Sequence, residues 1–452
     1  MLSRLLIILC LIGTTLPVYA NDDTAVLHSY LQYALDHSEA IEAEIESIKS
    51  AKEEAIIANS SMEWSASLSS YINRGDRSVN DSDFAKTENE NLSIVITKPL
   101  YDGGEAKADS IIARLTLDNA ILSYRQAEQN LLLDALTAHI NLVTARQRLQ
   151  VEQSNVDRLK QQVSASELRV QLGDTTPTQL ALTQSRLARA ESSFISAETQ
   201  LNTASATYTR YFGQLTDQLT LPGVIGQIPT SAGLAGDTAL DYQPSHQQVK
   251  INERLTRFGM DALISNISPQ IDFTLTGSTT NSNVSASNVD SVVAQITFST
   301  PLYPTKATRS KSRALVADHQ SMVLKLADSE QLTRLNAENT YRQFLSKDSL
   351  IKANQSEYDA AIIFRDGVRK EVEFGLKTLL DLLDAEQDVV NAELNLISTR
   401  GDYVLSGYVM LASMGQLNAE TFGLSPVFVS LDDLPEYELP FSGFPPKVTY
   451  QD

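Results

Sequence analysis

The chain has 452 residues, of which 20% are charged, and its formal net charge is −20. An acidic balance of this size argues against binding nucleic acid, or anionic lipid headgroups, through bulk charge. The single cysteine, Cys10, lies in an apolar run at the N-terminus, so neither disulfide bonds nor thiolate metal sites are expected in the remainder of the chain.

The N-terminus has the three parts of a secretory signal peptide. A charged start ending at Arg4 is followed by the apolar run 5–13 and by Val18-Tyr19-Ala20, just before the acidic residues after Asn21. We predict cleavage after Ala20, which removes residues 1–20. Cys10 follows Ile8-Leu9 rather than small residues, so a lipoprotein anchor is not expected. Downstream, no stretch of 18 apolar residues occurs, so any membrane crossing must use β-strands.

Two segments alternate apolar and polar residues with a period of two, which predicts β-hairpins at 62–98 and 270–300. In the first hairpin, Trp64, Ala66 and Leu68 alternate with serines, and a polar loop at 73–88 precedes Leu92, Ile94 and Ile96. Each strand therefore has one apolar face and one face rich in serine and threonine. Two interpretations remain open: a barrel wall between lipid and water, or soluble hairpins that pack on helices.

Each half of the chain contains a long span without glycine or proline, at 105–172 and 305–366. Apolar or small residues recur every seven positions in the first span, at Ala135, Leu142, Leu149, Val156, Val163 and Val170. This period predicts left-handed supercoiled helices. Gly173 and Gly375 are suitable helix stops, and Pro177 suits the first turn of a new helix. The spans 105–212 and 305–414 are therefore predicted to be long helical hairpins.

An internal duplication organises the chain. Lys98-Pro99-Leu100-Tyr101 recurs as Thr300-Pro301-Leu302-Tyr303, and Leu172-Gly173 recurs as Phe374-Gly375, both at an offset of 202 residues. We therefore predict a first repeat at 21–212 (helix, β-hairpin, helical hairpin) and a second repeat of the same order at 244–416. A linker at 213–243 joins the repeats, and 417–452 forms an extended C-terminal tail.

The duplicated strand-strand-helix-helix order, the turn Pro99 to Gly104 and the segment Gly375 to Asp384 together resemble TolC-type outer-membrane factors. The resemblance implies a mainly α fold with a small β portion, in which a homotrimer forms a 12-stranded β-barrel on a 12-helix α-barrel. It also implies a passive duct in the outer membrane of a Gram-negative bacterium, for efflux or type I secretion. The implied partners are outer-membrane lipid, a periplasmic adaptor and an inner-membrane transporter of the RND, ABC or MFS type. On the same analogy, the linker and tail wrap the helical barrel as an equatorial belt.

Site residues follow from the same resemblance. Asp381 and Asp384 match the acidic residues that line the periplasmic aperture of the family, where mutual repulsion would raise their pKa values. Acidic residues are also favourable near any helix N-terminus, so a solvated helix face is the alternative. Lys377 is expected to bond to Thr178 or Gln179 in the first hairpin and hold the tip closed, although an ordinary solvated lysine fits equally well. Gly173, Asp174 and Gly375 are expected to face the adaptor.

Other functional classes have little support in the sequence. The five histidines lack metal-ligand spacing, and no phosphate-binding loop or nucleophile elbow occurs, so neither catalysis nor a cofactor is expected. The acidic cluster formed by Asp381, Asp384, Glu386 and Asp388 suits a weak divalent-cation site or, more simply, an acidic surface. A periplasmic adaptor-like coiled coil without its own pore is the alternative function, but adaptors have one helical hairpin between small β-domains. A purely structural coiled coil would not need the alternating strands.

Overall fold

Four antiparallel strands form the sheet at one end of the molecule. The computed structural model describes residues 22–77, 85–216, 219–265, 267–282, 287–303, 305–428, 430–431, 441–442 and 447–448. The strands β1 (Ser65–Arg77), β2 (Ala85–Tyr101), β3 (Gln270–Ser282) and β4 (Ser287–Ser299) pair in the order β1-β2-β3-β4. Strand β2 of the first repeat pairs with β3 of the second, so the two repeats share one sheet. The predicted signal peptide and its cleavage site lie outside the described residues.

The register separates the two faces of the sheet. Leu68 lies opposite Ile94, and Gly277 lies between Ile94 and Val292, so these positions share one face. That apolar face consists of Ala66, Leu68, Ile72, Leu92, Ile94, Ile96, Phe273, Leu275, Val292, Ala294, Ile296 and Phe298. The opposite face is linked by hydrogen bonds between side chains of neighbouring strands: Ser69 with Ser93 at 2.8 Å, Asn91 with Thr280 at 2.9 Å, and Ser278 with Ser291 at 2.9 Å.

The first hairpin extends further than its alternation predicts. Residues expected to form a polar loop at 73–88 continue the strands instead, to Arg77 in β1 and from Ala85 in β2. Polar contacts hold this extension together, because Arg74 forms an ion pair with Glu88 at 2.5 Å and the Thr87 hydroxyl donates to the Gly75 carbonyl at 2.9 Å. Cross-strand charge pairs stabilise a ladder without apolar alternation, which the period-two pattern does not detect.

Nine helices are described within the same residues. They are α1 (Asp22–Asp36), α2 (Glu39–Asn59), α3 (Glu105–Gln171), α4 (Pro177–Phe212), α5 (Ala232–Tyr242), α6 (Pro244–Ser265), α7 (Lys306–Glu373), α8 (Leu379–Ser413) and α9 (Ala419–Phe422). Helices α3 and α7, of 67 and 68 residues, pair with α4 and α8 as long hairpins. At 1.5 Å per residue, each long helix spans about 100 Å. The helix predicted ahead of the first β-hairpin is two helices, because the Ser38 hydroxyl accepts from the Ile41 amide and starts α2 anew.

The main core lies midway along the helical hairpins. Leu132 and Leu136 of α3, Tyr208 of α4, and Tyr408 and Leu411 of α8 are fully buried there. The segment 213–243 supplies Gly223, whose carbonyl accepts a 2.6 Å hydrogen bond from the Tyr408 hydroxyl, together with the unpredicted helix α5, which packs on α7. The tail 417–452 likewise begins with the short helix α9 rather than with an extended chain.

Glycines within α8 bring neighbouring segments close without interrupting the helix. A Cβ atom on Gly401 would lie 2.6 Å from Thr144 Cγ2 of α3, and one on Gly407 would lie 2.5 Å from Val224 Cγ2. The helix continues through both residues to Ser413. Close packing, rather than a bend, therefore requires glycine at these two positions.

Candidate functional site

The two tips of the helical hairpins are built in the same way. Gly173 and Gly375 adopt left-handed conformations, with φ of 76° and 71°, and their amides donate back to Val170 and Val372. The following amides, of Asp174 and Leu376, close the wider turn onto the carbonyls of Arg169 and Glu371 at 2.8 Å. These paired bonds form the Schellman arrangement that ends a helix at glycine. The predicted stops at both tips are thus geometrically alike.

The starts of the returning helices differ. In α4, the Thr176 hydroxyl accepts from the Gln179 amide and Pro177 occupies the first turn. In α8, the Thr378 hydroxyl accepts from the Asp381 amide, and the Asp381 carboxylate accepts from the Thr378 amide at 2.8 Å and from its hydroxyl at 2.6 Å. This reciprocal capping box fixes the Asp381 side chain. The hydrogen bonds from Thr378 lower the pKa of Asp381, opposite to the rise that a repelling ring of carboxylates implies.

Asp384 lies one turn further along α8 and forms an ion pair across the two hairpins. Its partner is the guanidinium of Arg186 in α4. Nearby, Glu386 lies between two arginines, 3.9 Å from Arg158 of α3 and 3.7 Å from Arg369 of α7. The Glu386 side chain is only 12% exposed. These contacts join all four tip helices, and the sequence reasoning did not identify Arg186, Arg158 or Arg369.

Lys377 contacts its own hairpin rather than the first one. Its ammonium group lies 3.1 Å from a Glu371 carboxylate oxygen and 5.2 Å from the centre of the Phe364 ring. The side chain of Gln179 accepts from the Thr175 hydroxyl at 3.0 Å, and Thr178 lies in the first turn of α4. The bond expected between Lys377 and Thr178 or Gln179 is thus not the contact that Lys377 makes within a single chain. Glu371 is only six residues before Lys377, and its carboxylate gives the Lys377 ammonium group a charged partner that neither Thr178 nor Gln179 offers.

Large apolar side chains surround the two tip glycines and are open to solvent. Leu172 precedes Gly173 and is 73% exposed, while Phe374 and Leu376 flank Gly375 and are 79% and 75% exposed. Together with Asp174, these residues form an apolar and acidic end to the molecule, which we call the tip surface. An exposed apolar patch of this kind is typical of a protein-binding site.

At the opposite end, the sheet has two open edges. Strands β1 and β4 each have one neighbour, and their outer rows of backbone groups have no partner strand in the described chain. Their apolar side chains are open to solvent as well, with Leu68 64% and Ile296 67% exposed. Open edges of this length are suited to pairing with a further strand on each side. The exposed apolar face is suited to contact with an apolar environment.

None of the described helices is both long and apolar enough to span a membrane. In the described part of the chain, no three histidine, cysteine or acidic side chains are grouped as metal ligands would be.

A sheet with one hydroxyl-rich face and two open edges, joined to helical hairpins of about 100 Å, has the architecture of an outer-membrane channel subunit. The family model described as "Outer membrane efflux protein" matches residues 30–214 and 236–415. The chain therefore belongs to the outer membrane efflux protein family. The predicted family, fold class and role as an outer-membrane channel are confirmed, and the fold and family are those of channel proteins.

Individual relatives agree with this assignment. The outer membrane efflux protein BepC of Brucella suis biovar 1 is 24% identical over 335 residues, which cover 74% of each chain. The alkaline protease secretion protein AprF of Pseudomonas aeruginosa is 24% identical over 62% of this chain and 60% of its own length. The outer membrane channel CmeC of Campylobacter jejuni has a TM-score of 0.76 at 12% identity, over 86% of this chain and 85% of its own.

Proposed function

We propose that three copies of this chain enclose one continuous passive duct, which carries cargo from the periplasmic side through the outer membrane. The observation that carries the proposal is the four-stranded sheet, which has a hydroxyl-rich face and two unpaired edges. Four strands cannot enclose an aqueous lumen, and an open edge cannot face lipid. Pairing β4 of one copy with β1 of the next closes both edges and gives a barrel of 12 strands.

Side-chain chemistry supports the same arrangement. In a closed barrel, the face carrying Leu68, Val292 and Ile296 contacts lipid, and the face carrying Ser69, Ser93 and Thr280 lines the lumen. Hydroxyl and amide groups keep a lumen hydrated without binding cargo tightly, which suits a conduit. This chain then needs no catalytic step or cofactor, and the driving energy comes from an inner-membrane transporter.

The tip surface is the proposed docking site for a periplasmic adaptor. Gly173, Asp174 and Gly375 lie at the two turns, surrounded by the exposed side chains of Leu172, Phe374 and Leu376. The likeness to BepC and AprF supports pairing with an efflux or a type I secretion transporter, of the ABC, RND or MFS type. A wide lumen discriminates weakly, so the transporter selects the cargo.

We further propose that the ion pairs between the hairpins hold the aperture closed. Arg186 with Asp384 and Arg158 with Glu386 tie the first hairpin to the second, and Arg369 of α7 holds Glu386 within the second hairpin. Docking of the adaptor would separate these pairs and move the hairpins outward. Lys377, Thr178 and Gln179 retain a proposed role in contacts between copies, where Lys377 would exchange its Glu371 partner.

Asp381 and Asp384 are the proposed acidic residues of the aperture. Three copies place six carboxylates at the narrow end, which lowers the local potential and favours cations. Because Asp381 also caps α8, its replacement would change the helix start as well as the charge. Asp384→Asn leaves this cap intact, and because it also breaks the pair with Arg186, its selectivity is compared with that of Arg186→Ala.

Two measurements on the full chain test the proposal. Light scattering of the detergent-purified protein should give the mass of three copies, and a monomeric mass would contradict the shared barrel. In planar bilayers, Asp384→Asn should reduce the preference for cations over anions, whereas Asp290→Asn, on the apolar face of β4, should leave it unchanged. Equal selectivity in both variants would remove Asp384 from the aperture.

A further inference from the structure

Two sets of charges lie at helix ends where the helix dipole disfavours them. The first two turns of α7 carry four cations close to the positive end of the dipole, and three of them, Lys306, Arg309 and Arg313, share one face. The last two turns of α2 carry Glu53 and Glu54, close to its negative end. A charge of the same sign as the dipole at that helix end destabilises the helix, so we expect a compensating partner for these residues to be supplied from outside the chain.

Each set lies on the side of its helix that faces away from its own chain. On α7, the half-buried positions Thr308, Leu315 and Met322 recur every seven residues and face the rest of the chain, whereas the three basic residues are exposed. Their spacings of three and four residues place them on one face. On α2, the buried side is formed by Ile41, Ile48 and Ala51, and the exposed Glu53 and Glu54 flank the exposed Ile57 on the other side.

Both faces are unpartnered. Across the described residues, none of the three cations of α7 and neither of the two carboxylates of α2 takes part in an ion pair; Arg309 lies over the Tyr303 ring and Arg313 donates to the Ser310 hydroxyl. Beside the charges, apolar side chains are exposed on both helices, with Ile57 at 69% on α2 and Leu324 at 64% on α7. Each face thus combines an apolar patch with charges of one sign.

The topology of the sheet determines where these faces meet. Helix α2 leads into β1 and α7 follows β4, so they flank the two open edges of the sheet. The same connection exists once within the chain: α3 follows β2, α6 leads into β3, the two strands pair, and α3 packs against α6. At the repeat offset of 202 residues, α7 corresponds to α3, and by its place ahead of the β-hairpin α2 corresponds to α6. When β4 pairs with β1 of a second copy, α7 must therefore lie against α2 of that copy.

We propose that the occupant of the α7 face is α2 of a second copy of this chain, and that Lys306, Arg309 and Arg313 form ion pairs there with Glu53 and Glu54. This inference rests on the proposed shared barrel and deepens it. We call this contact the charged seam. It recurs three times around the barrel, immediately below the sheet.

The internal contact between α3 and α6 lacks this pattern of charge. The sheet register makes Ser65 equivalent to Gln270, an offset of 205 residues ahead of the hairpin loops, so Glu53 and Glu54 correspond to Phe258 and Gly259. Lys306, Arg309 and Arg313 correspond to Gly104, Lys107 and Ile111, so only the central cation is repeated. The two kinds of contact therefore differ in chemistry although their geometry is repeated. Opposite charges at the seam favour α2 of another copy as the partner of α7, because α6 carries Phe258 and Gly259 where α2 carries Glu53 and Glu54.

Charge reversal and its repair test the seam in full-length protein purified in detergent. Glu53→Lys with Glu54→Lys, and separately Arg309→Glu with Arg313→Glu, should each reduce the trimer fraction roughly tenfold at about 50 mM salt, and the loss should shrink near 1 M salt. The combination of all four substitutions should restore the trimer. Lys311→Glu removes the same charge from another side of the α7 start and should leave the trimer intact.

The outcomes separate the two proposals. A wild-type protein that is not trimeric contradicts the shared barrel itself. A trimeric wild type combined with harmless reversals, with no repair in the four-residue variant, or with an equal loss in Lys311→Glu overturns the charged seam alone.

Crosslinking gives an independent test that does not depend on charge. Cys10 is the only native cysteine and belongs to the predicted signal peptide, so a Glu54→Cys and Arg309→Cys pair supplies the only thiols expected in the mature chain. Oxidation of the wild-type-like trimer should join copies covalently into species of two and three chains on a denaturing gel. The control pair Glu54→Cys and Lys311→Cys should remain monomeric there. Equal crosslinking of both pairs, or crosslinking of neither, would contradict the placement of α7 against α2.

Discussion

The middle of the helical hairpins and their tips are held together by different forces. In the middle, side chains from α1, α3, α4, α8 and the linker form one apolar core with fully buried leucines and tyrosines. At the tips, a small cluster around Val156, Leu159, Ala190 and Leu383 is supplemented by ion pairs, and large apolar side chains are exposed. This division suits the proposed duct, in which one end opens while the wall stays closed.

The difference in burial implies a difference in local stability. Regions with few buried apolar contacts and partly exposed polar links open at a smaller free-energy cost than the core does. We therefore expect the hairpins to separate from the tip inward, with the middle of the hairpins as the fixed end. Substitutions of the same kind at the two levels should consequently have unequal effects.

The largest effect is expected for Leu136→Ala in the middle of α3. Leu136 is fully buried, so its truncation leaves a cavity and should lower the free energy of unfolding by about 2–5 kcal/mol. The matched variant Leu172→Ala, at the exposed tip, should change it by less than about 0.5 kcal/mol. Denaturant titration of the detergent-purified proteins measures both. Equal losses would show that the tip packs as tightly as the middle.

Glycine-to-alanine substitutions should have opposite signs at the two levels. A Cβ atom on Gly407 would lie 2.5 Å from Val224 Cγ2, so Gly407→Ala should cost about 1–3 kcal/mol through overpacking. Gly367, in α7 towards the tip, has no atom within 4 Å of such a Cβ, and Gly367→Ala should stabilise the helix by about 0.5–1 kcal/mol. Thermal unfolding should move down for the first variant and up for the second; movement in the same direction would contradict the contrast.

A smaller, pH-dependent effect is expected from His139, which anchors the linker to the core. Its ring nitrogen Nε2 donates to the Thr220 carbonyl at 2.9 Å, and burial lowers the pKa of His139 in the folded state. Protonation thus favours unfolding, so the stability that neutral His139 supports is complete above pH ~6.5 and is lost as the pH falls below it. His139→Gln should therefore flatten this acid-side loss.

Glu128 is a second buried group, and its effect on the pH dependence of stability should be opposite to that of His139. Burial raises the pKa of Glu128, so the folded state takes up a proton more readily than the unfolded state and gains stability as the pH falls. Glu128→Gln should therefore make the acid-side loss steeper, whereas His139→Gln makes it shallower. Denaturant titrations at several pH values between about 7 and 5 give both slopes. Slopes that change in the same direction would contradict the assignment to these two buried groups.

Patterns of local order predicted the helices and strands well, but not their partners. Heptads such as Leu142, Leu149 and Val156 marked the long helices, and Gly173 and Gly375 marked the tips, because helix period and left-handed glycine are local properties. Pairing of β2 with β3, and packing of α5 on α7, join residues far apart in sequence, so no local pattern reports them. Their geometry depends on the folded chain.

The candidate site shows the same limit. Asp381 and Asp384 were identified by resemblance, whereas Arg186, 198 residues away from Asp384, was missed. One signal was present: Arg186 directly precedes Leu187, which lies seven residues after Leu180 and seven before Phe194, and charged residues at such flanking positions commonly bridge neighbouring helices. The identity of its partner depended on how the two hairpins sit together. Within one chain Lys377 pairs with Glu371 of its own hairpin, and its expected contact with Thr178 or Gln179 stays a prediction.

The smallest effect on stability, with a large effect on function, is expected for Arg186→Ala at the tip. The pair with Asp384 is partly exposed, so its loss should change the free energy of unfolding by less than about 1 kcal/mol. If the pair helps to hold the aperture closed, the same variant should nevertheless raise single-channel conductance in planar bilayers, and addition of Glu386→Gln should raise it further. Arg189→Ala, at an exposed position on the same helix, is the matched control and should conduct as the wild type does. Unchanged conductance in the double variant would mean that other contacts close the tip. A large loss of stability in Arg186→Ala would mean that Arg186 supports the fold rather than the closed aperture.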